Sequence, residues 1–256
     1  NTPTNYDFDL FQHSAIAPGS LVGIHHFSRD NLWAYVQTPF IRGWIRTIDL
    51  AIANNRSEAM VEEMVNKPLV ITGNFVRIFA DPLFQRPVFS AQMGSTFHIL
   101  HLPDQAKTSK PYYTIWIPFR GADGRLTFRN GYIPAHEDAH YGFLSYTQKN
   151  LAQQAFKMLH QPYGWGEMSG GRDCSRFIMD LFNTFGILMP RNSNLQARMG
   201  IPLGSINRAV PLATLLRMPG HIMLYLGKHE GEHYAVHSIW GIQKRRPSGI
   251  QTQKIG

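Results

Sequence analysis

Among 256 residues there is one cysteine, Cys174, which leaves neither an internal disulfide nor a multi-cysteine zinc site. A lone thiol is either a small buried hydrophobe or a nucleophile, and its neighbours decide between the two. In Gly170-Gly171-Arg172-Asp173-Cys174-Ser175-Arg176-Phe177, Asp173 stands where an N-cap belongs. A helical run follows, in which Phe177, Ile178, Leu181, Phe182 and Phe185 share a broad apolar face. Cys174 then falls in the first turn, where unpaired N–H groups and the positive end of the helix dipole favour thiolate over thiol. Arg172 and Arg176 add positive charge, and the glycines ahead of them let backbone or substrate approach closely. A thiolate nucleophile calls for an imidazole. Of 12 histidines, His221 is set apart because it opens the apolar strand His221-Ile222-Met223-Leu224-Tyr225-Leu226-Gly227 directly after the turn Pro219-Gly220. His237 lies in the next strand-like run, Tyr234 to Ile239. If the two strands pair, His237 orients the ring of His221 and completes a nucleophile–base–orienter set.

A second motif competes. His136-Glu137-Asp138-Ala139-His140 matches the H-E-x-x-H pattern of zinc peptidases, in which one helix presents both imidazoles on one face. Pro134 and Gly142 leave seven residues between helix breakers, about two turns, and the flanks read as strand exit and linker. Zinc catalysis by His136 and His140 is therefore the lesser reading, and no metal is expected. His98, His101, His25 and His26 lie on strand-like segments and read as packed or solvated side chains. No glycine-rich loop opens a helix with a lysine, so no nucleotide or other cofactor is expected.

The elements that must hold these residues fall into blocks. Hydrophobic residues make up 43% and charged residues 16%, enough to bury a core, while Gly 22 and Pro 16 favour a turn-rich chain over a helical bundle. Residues 1–20 read as a polar extended arm. Short apolar runs from Leu21 to Leu50 suggest strands of a small barrel, and Met60, Val61, Met64 and Val65 place a helix over 56–66, ended by Pro68. A second strand-rich block runs from Leu69 to about Ile133, with a hairpin turn at Ala122-Asp123-Gly124-Arg125. The similar phrases Gly43-Trp44-Ile45 and Gly131-Tyr132-Ile133 hint at two related barrels. Beyond Ser145 the pattern becomes α+β: helices over 149–159 and 174–185, then two strands. The basic stretch Lys244-Arg245-Arg246 reads as a solvated tail. The net charge of +8 suits an anionic partner, but the basic residues are scattered rather than striped, so nucleic acid is not expected. No run of 18 apolar residues predicts a membrane span.

With these residues on the page, the chain resembles the NlpC family of cell-wall cysteine peptidases. The resemblance rests on Tyr163-Gly164-Trp165-Gly166, Asp173-Cys174-Ser175, Pro190-Arg191-Asn192-Ser193, Gly220-His221 with its strand, and Val236-His237-Ser238. It implies an α+β chain: a papain-like catalytic domain over 145–256, preceded by two small SH3-like β-barrels, the first with its arm and helix over 1–66 and the second over 67–144. It also implies hydrolysis of γ-D-glutamyl–diamino acid bonds in peptidoglycan peptides through an acyl-enzyme on Cys174, with His221 as base and acid and His237 as orienter. Tyr163 lines the site, and Asp173 and Ser175 help hold the peptide's free amino terminus. The Cys174 N–H and the Tyr163 hydroxyl become the oxyanion donors. Two residues depart from the family's pattern, which usually has glycine at both places: Glu167, and Arg176, which is expected either to crowd the cleft or to bind a substrate carboxylate, with Glu167 as its ion-pair partner. Arg176 raises the alternative of a non-catalytic murein-binding protein with a vestigial peptidase domain. The start Asn1-Thr2-Pro3-Thr4 has neither initiator Met nor apolar signal core, and reads as a trimmed start of a periplasmic or secreted protein.

Overall fold

The structure is a computed structural model, and it describes residues 8–9, 11–55, 67–104, 106, 110–246 and 249–254. The helix expected over 56–66 lies outside these residues. Chain contacts divide the molecule into two units: Ile16–Leu144 with Thr184–Gly186, and Asn1–Ala15 with Ser145–Asn183 and Ile187–Gly256.

In the first unit, β1 (Gly23–Phe27), β2 (Trp33–Gln37) and β3 (Arg42–Arg46) form an antiparallel meander. Its inward face buries Ala34 and Val36 with Leu50, while alternate residues face out, as period-2 patterning requires. The second block contains β4 (Leu69–Ile71), β5 (Phe75–Phe79), β6 (Pro87–Gln92), β7 (Thr96–Phe97), β8 (Ile99–His101), β9 (Tyr112–Arg120), β10 (Leu126–Pro134) and β11 (Ala139–Tyr141). They pair as a five-stranded sheet β6-β5-β10-β9-β8 and a three-stranded sheet β11-β4-β7. Leu69, Ile71, Ile78, Ile115 and Ile133 fill the core of this block. The hairpin expected at 122–125 joins β9 to β10, with Leu126 paired to Arg120. The two similar phrases do not occupy matching places: Gly43-Trp44-Ile45 is on β3, at a sheet edge, and Gly131-Tyr132-Ile133 is in the interior strand β10.

The H-E-x-x-H segment is not a helix. His136 to Asp138 form a turn and His140 sits in β11, where its Nδ1 is 2.8 Å from the Gly142 carbonyl. The zinc-peptidase alternative is therefore corrected: the motif needs one helix to carry both imidazoles on one face, and here His136 stands in a turn and His140 in a strand. Among the described residues no cluster of three or more His, Cys, Asp or Glu is placed to hold a metal ion.

In the second unit, α1 (Gln148–Lys157) is capped by Thr147, whose hydroxyl accepts from the Asn150 N–H at 3.2 Å. A tight loop leads to α2 (Cys174–Asn183), followed by the short α3 (Ser193–Gln196). A sheet of β12 (Leu215–Met218), β13 (His221–His229) and β14 (Glu232–Val236) comes next. The basic stretch Lys244-Arg245-Arg246 lies in a strand, β15 (Gly241–Arg246), paired with β16 (Gly249–Lys254). Among the described residues no helix is long and apolar enough to cross a membrane.

Every residue of α2 from Cys174 to Phe182 is buried, and α2 packs on β13, whose Ile222 and Leu224 are fully buried. This helix-on-strand contact sets the distance between the start of α2 and the start of β13. Truncating the fully buried Leu181 to Ala is expected to cost about 2–5 kcal/mol, from lost apolar burial plus the cavity left behind, read by urea denaturation.

Candidate active site

The loop ahead of α2 is held by a close approach of two chain segments. Tyr163 and Arg172 form an isolated parallel bridge, and the Gly164 N–H donates to the Arg172 carbonyl at 3.2 Å. A Cβ on Gly164 would lie 2.5 Å from the Met168 carbonyl oxygen, and one on Gly171 would lie 2.7 Å from the Gly164 nitrogen, so only glycine fits at either position. Between them Glu167 and Ser169 hold positive φ values of 61° and 55°, conformations that side-chain-bearing residues rarely adopt.

Asp173 takes the expected capping position. Its Oδ1 accepts from the Arg176 N–H at 2.8 Å and from the Ser175 hydroxyl at 2.9 Å. Cys174 thus opens α2 and is buried. The Ile222 and Ser175 N–H groups hydrogen-bond its sulfur and favour the thiolate, but burial outweighs them and, with the adjacent Asp173 charge, pushes the thiol above its ordinary value. The expectation of a thiol ionised by Arg172 and Arg176 is corrected, because both guanidiniums are occupied elsewhere. Arg172 Nε donates to Asp180 Oδ2 at 2.6 Å, and Arg176 Nε to Asp180 Oδ1 at 2.7 Å.

His221 opens β13, one residue before the Ile222 amide that reaches the sulfur. β13 and β14 pair as expected, with Leu224 opposite Val236. His237 follows directly, and its Nδ1 lies 2.7 Å from His221 Nε2. Burial holds both imidazoles below the ordinary histidine value, and in His221 the charge of His237 adds to it. The Ser238 hydroxyl donates to the Arg172 carbonyl at 2.6 Å, tying this end of the sheet to the loop before α2. Tyr163 is half-buried, and burial, with the nearby Asp173 and Cys174 charges, pushes its phenol well above the ordinary tyrosine range, so it stays an O–H donor. The Phe8 ring lies 6.3 Å from that of Tyr163 and 5.4 Å from both Trp165 and Trp240, an aromatic wall contributed in part by the arm.

Sequence reasoning missed the feature that holds all this in place. Arg191 lies along Asp173 with two bonds, Nη1 to Oδ1 at 3.1 Å and Nη2 to Oδ2 at 2.7 Å. Nη2 also donates to Glu167 Oε1 at 2.5 Å, and Arg176 Nη1 lies 3.5 Å from Glu167 Oε2. Arg172, Arg176 and Arg191 therefore face Asp173, Asp180 and Glu167, three cations against three anions, all buried. The arm joins in. Ser14 Oγ and the Ala15 N–H donate to Glu167 Oε2 at 2.7 and 2.6 Å, and Arg191 Nε donates to Ser14 Oγ at 2.8 Å. The fully buried Gln196 donates to the carbonyls of Ser175 and Pro190, clamping the Arg191 loop to α2. The Glu167–Arg176 ion pair anticipated from the sequence is present, but Arg176 is a buried member of this network rather than a side chain offered to a substrate carboxylate. Ser175 and Asp173 are likewise engaged with protein partners.

Residues 160–253 match the NlpC/P60 family, and residues 1–46 match the SH3 domain of the SH3b1 type. The chain carries an NlpC/P60 domain. The SH3 match covers the first strand block only, so a count of two such domains is not established. A curated relative, the dipeptidyl-peptidase 6 of Lysinibacillus sphaericus, is 26% identical over 204 residues, covering 78% of this chain and 71% of its own. An NlpC/P60 endopeptidase from Photobacterium damselae subsp. piscicida superposes with a TM-score of 0.74 at 21% identity, over 98% of this chain. This chain spans 58% of that one. An NlpC/P60 family protein from Bacillus cereus superposes with a TM-score of 0.60 at 14% identity, over 91% of this chain and 73% of its own. These likenesses show the papain-like fold of the NlpC/P60 domain.

Replacing Arg191 with Ala would leave Asp173 and part of Glu167 as uncompensated buried charges. It is expected to destabilise the NlpC/P60 domain by about 3–5 kcal/mol in denaturant titration, far more than loss of an exposed ion pair would.

Proposed function

We propose that this protein is a cysteine endopeptidase of the cell envelope that hydrolyses amide bonds in peptidoglycan peptides, specifically γ-D-glutamyl–diamino acid bonds. The observation that carries the reading is the 2.7 Å contact between His221 Nε2 and His237 Nδ1, beside the strand whose Ile222 amide bonds the Cys174 sulfur. With Nε2 engaged, His221 keeps Nδ1 as the acceptor for the thiol proton, and a neutral His237 that accepts at Nδ1 fixes that tautomer. Sulfur attacks the amide carbonyl while the thiol proton passes to His221. The Cys174 N–H and the Tyr163 hydroxyl receive the oxyanion. Collapse expels the amine, which takes the proton from the imidazolium and leaves a thioester. Water, deprotonated by His221, then releases the acid and restores the thiol. The named relative and the matched family support the peptidase class. The glutamyl bond and the diamino acid are carried over from the resemblance alone. The matched SH3 domain and the net charge of +8 support approach to an anionic wall.

The raised thiol value supports a second reading, a murein-binding protein whose peptidase domain no longer turns over. The two differ in one measurement. Mass spectrometry of murein peptides after incubation is expected to show cleavage by the wild type and none by Cys174→Ala. Equal peptide patterns from both would overturn the peptidase reading, and binding without turnover would establish the second.

The pH dependence follows from the pair. Because burial lowers the His221 value, the imidazole stays a neutral base at pH values where an exposed histidine is half protonated. The acid limb of kcat/KM is therefore expected below pH 6.5, the ordinary histidine value. A limb at or above that value would mean that His221 is solvated in the working enzyme.

A further inference from the structure

In the first unit, the two long strands of the second block outrun their neighbour. β9 and β10 pair along their length, from Leu126↔Arg120 to Pro134↔Tyr112. β5 is shorter and meets β10 at one pair, Tyr132↔Phe79. It ends there because Asp81 and Pro82 follow: the Asp81 carboxylate takes the N–H groups of Leu83, Gln85 and Arg86 and closes a turn. The Gly121 N–H donates to the Arg125 carbonyl at 2.8 Å, which fixes the phase of the β9–β10 ladder. In an antiparallel pair every second residue turns its N–H and C=O away from the partner strand. On β10 these residues are Leu126, Phe128, Asn130 and Tyr132. Tyr132 is met by Phe79, and the Leu126 N–H donates to the Ile52 carbonyl at 2.8 Å. Between them, the backbone groups of Phe128 and Asn130 have no partner among the described residues.

A cleft of about 400 Å³ opens at this bare edge, lined by Val88 of β6 and by Ile117 and Phe119 of β9. Arg129 gives it positive charge. Its exposed guanidinium lies over the Phe119 ring, 3.7 Å from the centroid, and has no acidic partner among the described residues. A guanidinium held on a ring face keeps its in-plane N–H donors free for a two-oxygen acceptor, and it has already lost rotamer freedom. Arg86 brings a second guanidinium to the cleft. Its Nε is 3.5 Å from Asp81, a carboxylate already committed to the turn. An unpaired strand edge, apolar walls and an arginine without counter-charge thus coincide. Unpaired N–H and C=O groups along one edge are what an extended peptide bonds when it adds as a strand. The apolar lining suits one of its side chains, and Arg129 suits a carboxylate.

We propose that this cleft is a peptide-binding site in its own right, in which an extended peptide adds along Phe128–Asn130 and sets a carboxylate against Arg129. The site itself does not depend on the peptidase reading. That its ligand is a carboxylate-bearing stem peptide of the wall rests on that reading, and gives the chain a hold on wall peptide besides the one that places a bond at Cys174.

The test uses the full chain with Cys174→Ala, so that no peptide is consumed, and two probes: L-Ala-γ-D-Glu-diaminopimelate and the same peptide with its carboxylates amidated. Amide hydrogen exchange is followed at Phe128 and Asn130 as each probe is titrated. The carboxylate peptide is expected to slow exchange at both amides, and the amidated one to need at least about tenfold more peptide for the same effect, as loss of a hydrogen bond between charged groups implies. Adding Arg129→Gln is expected to weaken the carboxylate peptide by a similar factor. Should that variant fail to fold, the two probes on the chain with Arg129 still decide. No slowing, equal slowing by both probes, or exchange already slow without peptide because the chain itself covers the edge, would overturn the site. The wild-type chain is assayed for cleavage of the same peptide. Cleavage without slowing at Phe128 and Asn130 would overturn the site and leave the peptidase reading standing, and slowing without cleavage would do the reverse.

Discussion

The bidentate contact between Arg191 and Asp173 is the constraint on which the rest of the catalytic unit depends. Asp173 caps α2 and so fixes the first turn that carries Cys174, and Arg191 fixes Asp173. Buried ion pairs contribute little net stability, because desolvating two charges offsets most of their attraction. Their effect is geometric. A carboxylate held by two guanidinium nitrogens, a hydroxyl and a backbone N–H has no alternative orientation of similar energy. Gln196, bonded at once to α2 and to the Arg191 loop, extends the same constraint through the backbone. The start of α2 is over-determined, which is what allows Glu167 and Ser169 to persist at positive φ in the loop before it.

That rigidity has an electrostatic consequence for the sulfur. The start of a helix and two N–H donors favour a thiolate, and burial and the Asp173 charge oppose it. Arg172 and Arg176 are paired with Asp180, so burial and the Asp173 charge keep the thiol above its ordinary value, while burial keeps the His221 imidazole below its own. Under the peptidase reading proposed above, proton transfer belongs to the attack itself rather than preceding it. The orienting group is matched to that regime. A carboxylate behind His221 would raise its basicity and draw charge onto the ring, whereas His237, whose own value burial lowers, meets Nε2 without a fixed negative charge.

Local signals were legible because their physics is local. The cap at Asp173, the apolar face of α2 and the polar residue at the mouth of β13 each follow from a few neighbouring positions, and the structure has each of them. The pairing of β13 with β14 also followed, since two adjacent apolar runs with a turn between them have few alternatives. What the sequence did not disclose is non-local. Arg191 lies 18 residues from Asp173, and Ser14 lies 153 from Glu167, with nothing in spacing to join them. Arg172 and Arg176 read as free positive charge because their shared partner, Asp180, is brought to Arg172 only by the fold, although it stands at i+4 from Arg176 on the same helix. The H-E-x-x-H string is the opposite case, in which the flanking Pro134 and Gly142 already argued against the helix the motif needs. Its residue types fit a metal site, but they fall on a turn and a strand, where the spacing has no meaning.

The two departures from the family's glycines are best understood together. A glutamate alone at 167 would bury a carboxylate, and an arginine alone at 176 would bury a guanidinium, and either would be costly. Present together they face one another, and Arg176 finds its second partner in Asp180 while Glu167 finds its second in Arg191. The glutamate still has lone pairs to satisfy, and these are met by Ser14 and the Ala15 N–H. The segment ahead of the first strand block is thereby recruited to the catalytic unit, although by position it reads as a mere leader to that block. Gln12, bonded to the Gly166 carbonyl, and Asp9, whose carbonyl accepts from the Trp165 indole, fasten it on the same loop. The arm thus completes the coordination of a charge that the loop cannot satisfy by itself, which ties the integrity of the nucleophile's surroundings to residues some 160 positions away.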